Sequence, residues 1–380
     1  MNFLKNINYN IKVVHVIQSL ESGGAETSLF DICKSINTDL FDITIITFWK
    51  GDILEKEFET LSSIKLINLN CLSRYDIRIF PKLLLALKQE KPDIIHTHLP
   101  IAGIYSRLCN IVIKAKIVTT QHSVKYINNL YHKVDRFTAK WNHHYIANSE
   151  FTKKFLLKYH YIRNEKISNI PLGIDFSKFN NSKENKGEIY NNLNIPEKAF
   201  IIGHIGSFKK QKGHKYIIEI AKKIVSCYSN IYFILVGHGY LFNSIKNLSQ
   251  KSGVSSHVRF VGVKNNISDY LNIMDIFIQP SISESFGVSI LEAMYMKTPV
   301  VAFKTDAIPE LVKHNKTGLL VQKFNEEEMT KAILYLFENP EIRMQLKTDA
   351  FNFVKKYSIV NTTRILEKFY MGLKKKNEKN

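Results

Sequence analysis

Between Pro280 and Met294 the chain reads PSISESFGVSILEAM, directly after an apolar run with the character of a buried strand. Ser283, Glu284 and Ser285 fall in the turn, and the pattern predicts a helix starting near Phe286 or Gly287. The first amides of such a helix, including those of Gly287 and Val288, have no intrahelical acceptor and favour an anion such as a diphosphate. Glu292, one to two turns in, is suited to accept hydrogen bonds from a ribose diol, and Glu284 in the loop to reach a sugar hydroxyl. Read alone, the segment also fits an ordinary helix with an acidic N-terminus and a surface glutamate.

A second constellation, Gly206 to Gly213, reads GSFKKQKG and again follows a strand-like run. Lysines facing a diphosphate stabilise the charge that builds on a leaving nucleotide, which a divalent metal does elsewhere. An isolated K-K-x-K run is ordinarily a solvated turn, so it is the placement at a strand end that singles out Lys212. Gly23 and Gly24 let backbone approach a ligand closely, but they are not part of a G-x-G-x-x-G, so no nicotinamide or flavin cofactor is expected. His96 and His98 in HTHLP share one strand face by the period of two, yet no third metal ligand stands near them in sequence. His96 reads as a core histidine. His98 closes its strand, and His122 in TTQHS closes the next, so both are placed to line a ligand site. No D-x-D occurs, so no metal clamp is expected, and neither G-x-S-x-G nor a phosphate-loop motif is present.

These motifs need strand ends to carry them. Ile11 to Ile17 is an apolar, β-branched run followed by the glycine pair and then a periodic helical segment. Similar runs at Ile43–Trp49, Ile64–Leu69, Asp93–Thr97, Lys116–Thr120 and Tyr145–Ala147 alternate with helix-length segments such as Pro81–Glu90. The programme restarts with Phe200–Ile205, Ile231–Val236, Val258–Val261, Ile276–Gln279, Pro299–Phe303 and Gly318–Val321. Such alternation predicts an α/β protein with two Rossmann-like domains, each a parallel sheet covered by helices on both faces, with the motifs in a cleft between them. Residues 1–180 form the expected first domain, the polar stretch 181–197 a linker, and 198–358 the second domain. Residues 359–380 are expected to add a C-terminal helix that crosses back to the first domain, then a basic tail.

With 380 residues, 45% of them hydrophobic, the chain is long enough for two cores. Its net charge of +19 suits nucleic acid, an anionic membrane surface or polyanionic small molecules alike. No aromatic-basic stacking motif or helix-turn-helix supports nucleic acid. Cys33, Cys71, Cys109 and Cys227 form no C-x-x-C pair, and no signal peptide or membrane span is evident, so a reduced, cytoplasmic protein is expected. Pro81–Lys91 and Lys125–His144 mix aromatic and aliphatic residues with Lys and Arg, as interfacial helices do, so peripheral association with the inner face of a membrane is expected too.

Taken in order, SGGAE at Ser22–Glu26, DIIHTHL at Asp93–Leu99, ANSEFTKK at Ala147–Lys154, PLGID at Pro171–Asp175, the GSFKKQKG loop, VGHG, the Glu284 to Glu292 pair and TPVVAFKTDAIPELVKHNKTGLLV at Thr298–Val321 resemble the retaining glycosyltransferases of the family-4 type, which have the GT-B fold. The resemblance spans nearly the whole chain. It implies a sugar transferred from a nucleotide-diphosphate-sugar to a glycan or lipid-linked acceptor, with no metal or other cofactor, in the synthesis of a bacterial surface polysaccharide. By the same resemblance Glu284 contacts donor-sugar hydroxyls and Glu292 the ribose, while Lys212 and the amides of Phe286, Gly287 and Val288 hold the diphosphate. Gly23 and Gly24 approach it from the other domain, residues 1–180 being the acceptor-binding domain and 198–358 the nucleotide-sugar-binding one, and His98 lies near the reacting carbon; His122, by its place at the next strand end, is expected on the acceptor side. Two departures stand out: Ser207 where the family has Arg, for which Lys209 or Lys210 is expected to compensate, and Asp306-Ala307-Ile308-Pro309-Glu310 in place of G-G-x-P-E. A GT-B sugar-nucleotide epimerase and a non-catalytic nucleotide-sugar-binding protein are the alternatives.

Overall fold

The computed structural model describes residues 10–21, 23–51, 53–124, 129–180 and 186–375. They form two compact units, one comprising residues 1–173 with 359–380 and the other residues 174–358. In the first unit, β1 (Ile11–Ile17), β2 (Phe41–Thr47), β3 (Ile64–Asn68), β4 (Ile94–His98), β5 (Lys116–Gln121), β6 (His144–Ala147) and β7 (Ile167–Asn169) make one parallel sheet in the order β3-β2-β1-β4-β5-β6-β7. Every residue of β1 except Ile11's neighbour Lys12 is buried, as expected of a strand covered on both faces. Those faces carry separate cores. One is built with Leu29 and Ile32 of helix Gly24–Ser35 and with Leu366 and Tyr370 of the last helix. The other uses Leu83 and Leu87 of helix Ile79–Glu90 and Ile101 and Cys109 of helix Pro100–Ile113.

The second unit repeats the plan with β8 (Phe200–Ile205), β9 (Ile231–Val236), β10 (Val258–Gly262), β11 (Ile276–Gln279), β12 (Val300–Phe303) and β13 (Leu319–Val321), in the order β10-β9-β8-β11-β12-β13. Both sheets therefore reverse their winding once, between β1 and β4 and between β8 and β11. At such a reversal the connecting helices leave toward opposite faces, and the carboxyl ends of the two strands open a crevice. The fold is that of two Rossmann-like domains.

The domain limits differ from the sequence reading. The chain leaves the first unit at Gly173, where a Cβ would run into the backbone of Ile359, and it returns there at Ile359. Within the second unit the two ends pair, with Ile174 N–H donating to Tyr357 O at 2.9 Å. Of the expected linker, residues 181–185 lie outside the described residues. Lys186–Asn192 is a helix of the second unit that buries Ile189 and packs against helix Ile267–Ile273, so the polar stretch supplies part of a domain.

The last helix, Ile359–Lys375, belongs to the first unit and lies along helix Gly24–Ser35. Leu366 and Tyr370 enter the core, Thr362 Oγ1 donates to Pro171 O at 3.0 Å, and the Tyr370 hydroxyl bonds the His96 ring. Leu366→Ala should cost about 2–5 kcal/mol of unfolding free energy, as for other buried leucines. Arg364→Ala, on the exposed side of the same helix, should stay within about 0.5 kcal/mol in the same urea titration.

Candidate active site

At the reversal of the second sheet, the loops after β8 and β11 are stitched together. Gly213 has φ +73°, and a Cβ there would overlap the Pro280 carbonyl oxygen, so only glycine lets the loops touch. Ile282 N–H donates to Gln211 O at 2.8 Å, and Phe208 is buried in the core to anchor the basic loop. This brings Lys212 Nζ to 2.6 Å from Glu284 Oε2, with both side chains mostly covered. Gln279 Nε2 and Ser281 Oγ approach the same carboxylate oxygen at 3.3 and 3.4 Å. Glu284 is thus held by one charge and two neutral dipoles at the mouth of the crevice.

The helix behind it runs Val288–Tyr295, one residue later than the predicted start. Gly287 at its N-cap has φ +109°, a conformation that favours glycine, and no side chain caps the first turn. Val288 and Glu292 are four apart and share one face. The Phe286 side chain is an anchor, buried edge-on against Tyr357 with ring centroids 5.9 Å apart. Lys209 and Lys210 are exposed, and Ser207 is half-buried beside them with its carbonyl accepting Lys209 N–H at 2.7 Å.

At the reversal of the first sheet, helix Gly24–Ser35 follows β1, with the Glu26 carboxylate of its first turn folded back against Gly23. A Cβ on Gly24 would meet nothing within 4 Å, so no internal contact requires glycine there. Ser22 lies outside the described residues. Beneath this turn sits a histidine cluster that sequence spacing does not reveal, because β1 and β4 pair His15 with His96 across the sheet. His15 Nδ1 is 2.9 Å from His98 Nε2, and His98 Nδ1 is 2.9 Å from His122 Nε2. His96 is a core histidine, bonded to Tyr370 and, at 2.7 Å, to Thr120 Oγ1. His98 is buried with both ring nitrogens engaged, and the half-buried His122 is the outer member of the chain. A cavity of about 20 Å³, room for one water, is lined by His96, His98, His122, Thr120 and Leu172.

His15 supplies the third ligand that His96 and His98 lacked, their candidate atoms lying within 4.8 Å of one another. Yet two nitrogens on a tetrahedral zinc ion stand about 3.3 Å apart, given bonds of about 2.0–2.1 Å. The 2.9 Å between His15 and His98 is a hydrogen bond.

Two parallel Rossmann-like units, the second presenting a cation, a carboxylate and an uncapped helix at its reversal, define the GT-B fold class. Among solved structures, the Anabaena protein HepE in complex with UDP and glucose superposes with a TM-score of 0.86 over 96% of this chain and all of that one, at 20% identity. WaaG, a glycosyltransferase involved in lipopolysaccharide biosynthesis, superposes at 0.77 over 95% of this chain and all of that one, at 17% identity. The model of the glycosyltransferase family 4 domain matches residues 22–178, and that of glycosyl transferases group 1 matches 185–353. The chain belongs to this group 1, family-4 type of glycosyltransferase. It is 26% identical, over 97% of its length and 99% of the relative's, to the Escherichia coli UDP-Gal:α-D-GlcNAc-diphosphoundecaprenol α-1,3-galactosyltransferase. It is 25% identical, over 64% of its length and 63% of the relative's, to the α-monoglucosyldiacylglycerol synthase of Acholeplasma laidlawii.

Burial pushes His15 down to about 3 and holds His96 and His98 well below the ordinary histidine value. These rings stay neutral in the fold while the unfolded chain takes up protons below about pH 6.5. Stability is therefore intact above that value and falls with pH below it, by about 1.4 kcal/mol per pH unit for each such histidine. Urea unfolding between pH 7.5 and 5.0 should show this decline. His15→Leu, though less stable at pH 7.5 for want of the His98 partner, should show a shallower slope; an unchanged slope would mean His15 is charged in the fold.

Proposed function

We propose that this glycosyltransferase is a retaining enzyme that needs no divalent metal and transfers a sugar from a nucleotide-diphosphate-sugar to a lipid-linked or glycan acceptor. The observation that carries the reading is the Lys212–Glu284 pair beside the uncapped helix at Gly287. An ammonium and a turn of free amides suit a diphosphate, and a carboxylate next to them suits the hydroxyls of the sugar it bears. Glu292, on the same helix face as Val288, is assigned the ribose. In the transfer the bond from the anomeric carbon to the phosphate oxygen breaks, and a bond to the acceptor hydroxyl oxygen forms on the same face. The hydroxyl proton passes to the departing phosphate, so no separate base is required. Lys212 neutralises the charge that gathers there, and in doing so gives up its hold on Glu284. A donor of the type named for the Escherichia coli relative, a UDP-sugar, and a lipid diphosphate acceptor are the first substrates to try.

With a donor that supports turnover, Lys212→Ala should lower kcat about a hundredfold or more, the effect of removing one charged donor from a preorganised clamp. Lys209→Ala or Lys210→Ala should show a smaller loss, because one of them stands in for the arginine that Ser207 replaces. Chelator should leave the rate unchanged. Full activity in Lys212→Ala would sink the assignment, and loss to chelator restored by magnesium would sink the metal-free mechanism.

The acceptor reading extends to an anionic lipid surface, on the strength of one face of the first unit. Helices Ile79–Glu90, Pro100–Ile113 and Asn129–Thr138 pack side by side. Along them and the preceding loop, Leu72 is 86% exposed, Ile77 88%, Leu130 67% and Phe137 64%, with Leu85 and Ile111 also exposed. Arg74, Lys88, Lys114, Arg136 and Lys140 lie among them, and Lys140 rests its ammonium 4.9 Å from the Phe137 ring centroid. Apolar side chains between cations match the interface of anionic lipid. No helix among the described residues is long and apolar enough to cross a membrane. Flotation should carry the protein up with phosphatidylglycerol-containing vesicles at low salt and release it at high salt. Leu72→Ser with Ile77→Ser should weaken it, and equal flotation on neutral vesicles would count against the electrostatic part.

A further inference from the structure

Asp306 occupies the place of the first glycine of the family's G-G-x-P-E, and its backbone shows why glycine suits that place: φ is +45°, in the left-handed region. Asp, with a short polar side chain, tolerates this conformation better than most residues. Here the side chain also has a partner. Asp306 Oδ2 accepts the Glu284 backbone N–H at 3.0 Å, and the next residue, Ala307, donates its N–H to Glu284 O at 3.2 Å. The Glu284 peptide groups are clamped on both sides by residues 306 and 307. A glycine at 306 would fit the backbone but would leave only the second of these bonds, the one from Ala307.

We propose that Asp306 is a positioning residue, which fixes the loop carrying Glu284 through a carboxylate that a glycine lacks. This rests on the reading of Glu284 as the sugar-contacting carboxylate. The Glu284 side chain leaves a turn outside any helix or strand, so its aim depends on how its own backbone is held. Of the bonds that hold its carboxylate, from Lys212, Gln279 and Ser281, the charged one from Lys212 is the one that a diphosphate draws away. Asp306 then keeps Glu284 in place when Lys212 turns to the leaving phosphate. Misplacing a contact group by about 1 Å costs on the order of a hundredfold in rate.

The test compares Asp306→Gly, which suits the backbone without an acceptor, with Asp306→Asn, which keeps an oxygen acceptor and tolerates the same φ. In the ligand-free protein, hydrogen exchange at the Glu284 amide should speed up at least tenfold in Asp306→Gly and stay near wild type in Asp306→Asn. With a working donor, kcat should fall about tenfold or more in Asp306→Gly, while affinity for the free nucleoside diphosphate holds and Asp306→Asn recovers to within about threefold. Asp306→Gly turning over like wild type, or Asp306→Asn failing as badly as Asp306→Gly, would overturn the proposal. A Glu284→Gln enzyme of full activity would instead overturn the reading beneath it, while amide exchange would still report on the clamp.

Discussion

Everything chemical in this chain depends on one geometric consequence of parallel β-structure, the reversal of winding in each sheet. Helices that follow strands on either side of a reversal must leave toward opposite faces, so the two loops at that point diverge and leave polar backbone uncovered. In the second unit these are the loops after β8 and β11, and short-range contacts stitch them together. Gly213 against the Pro280 carbonyl and Ile282 N–H on Gln211 O provide that stitching, and Lys212 and Glu284 meet as a result.

The two reversals are furnished differently. In the second unit the polar groups stand at the mouth, where Lys212 and Glu284 meet beside the start of helix Val288–Tyr295. In the first the polar groups have been drawn inside. His15, His98 and His122 form a hydrogen-bonded row, and His96 is tied to Tyr370 on the final helix. Neutral imidazoles can pass donor and acceptor roles along such a row without a buried charge, which explains how so many titratable rings are accommodated beneath one turn. The tie to Tyr370 also links this cluster to the helix that the chain returns to supply, so the carboxyl end of the first sheet and the integrity of its core are coupled.

The departures from the family pattern gain a physical meaning from these contacts. The glycine-to-aspartate change at 306 keeps the left-handed backbone and adds an acceptor for the Glu284 amide. The serine at 207 carries no charge, and Lys209 and Lys210, which follow it in the same loop, are exposed. One change adds a bond between two loops, and the other removes a side chain that could carry charge.

The alternation of strands and helices, and the placement of Lys212, Glu284 and Gly287 at strand ends, were determined by the sequence alone. A strand buried on both faces must be a continuous apolar run, and β8, β9 and β11 were legible to the residue for that reason. The three-residue β7 was not, since Ile167-Ser168-Asn169 has too little apolar content to stand out. The linker was misread because Lys186–Asn192 meets the core through few apolar residues, Ile189 foremost, and the true crossing at Gly173 depends on its contact with Ile359, far away in the chain. Tertiary structure alone decided that His98 faces inward and that His15 stands beside it, because strand order, not spacing, sets which side chains become neighbours. It also decided the partner of Asp306, since a hydrogen bond between two loops 22 residues apart leaves no periodic trace in either.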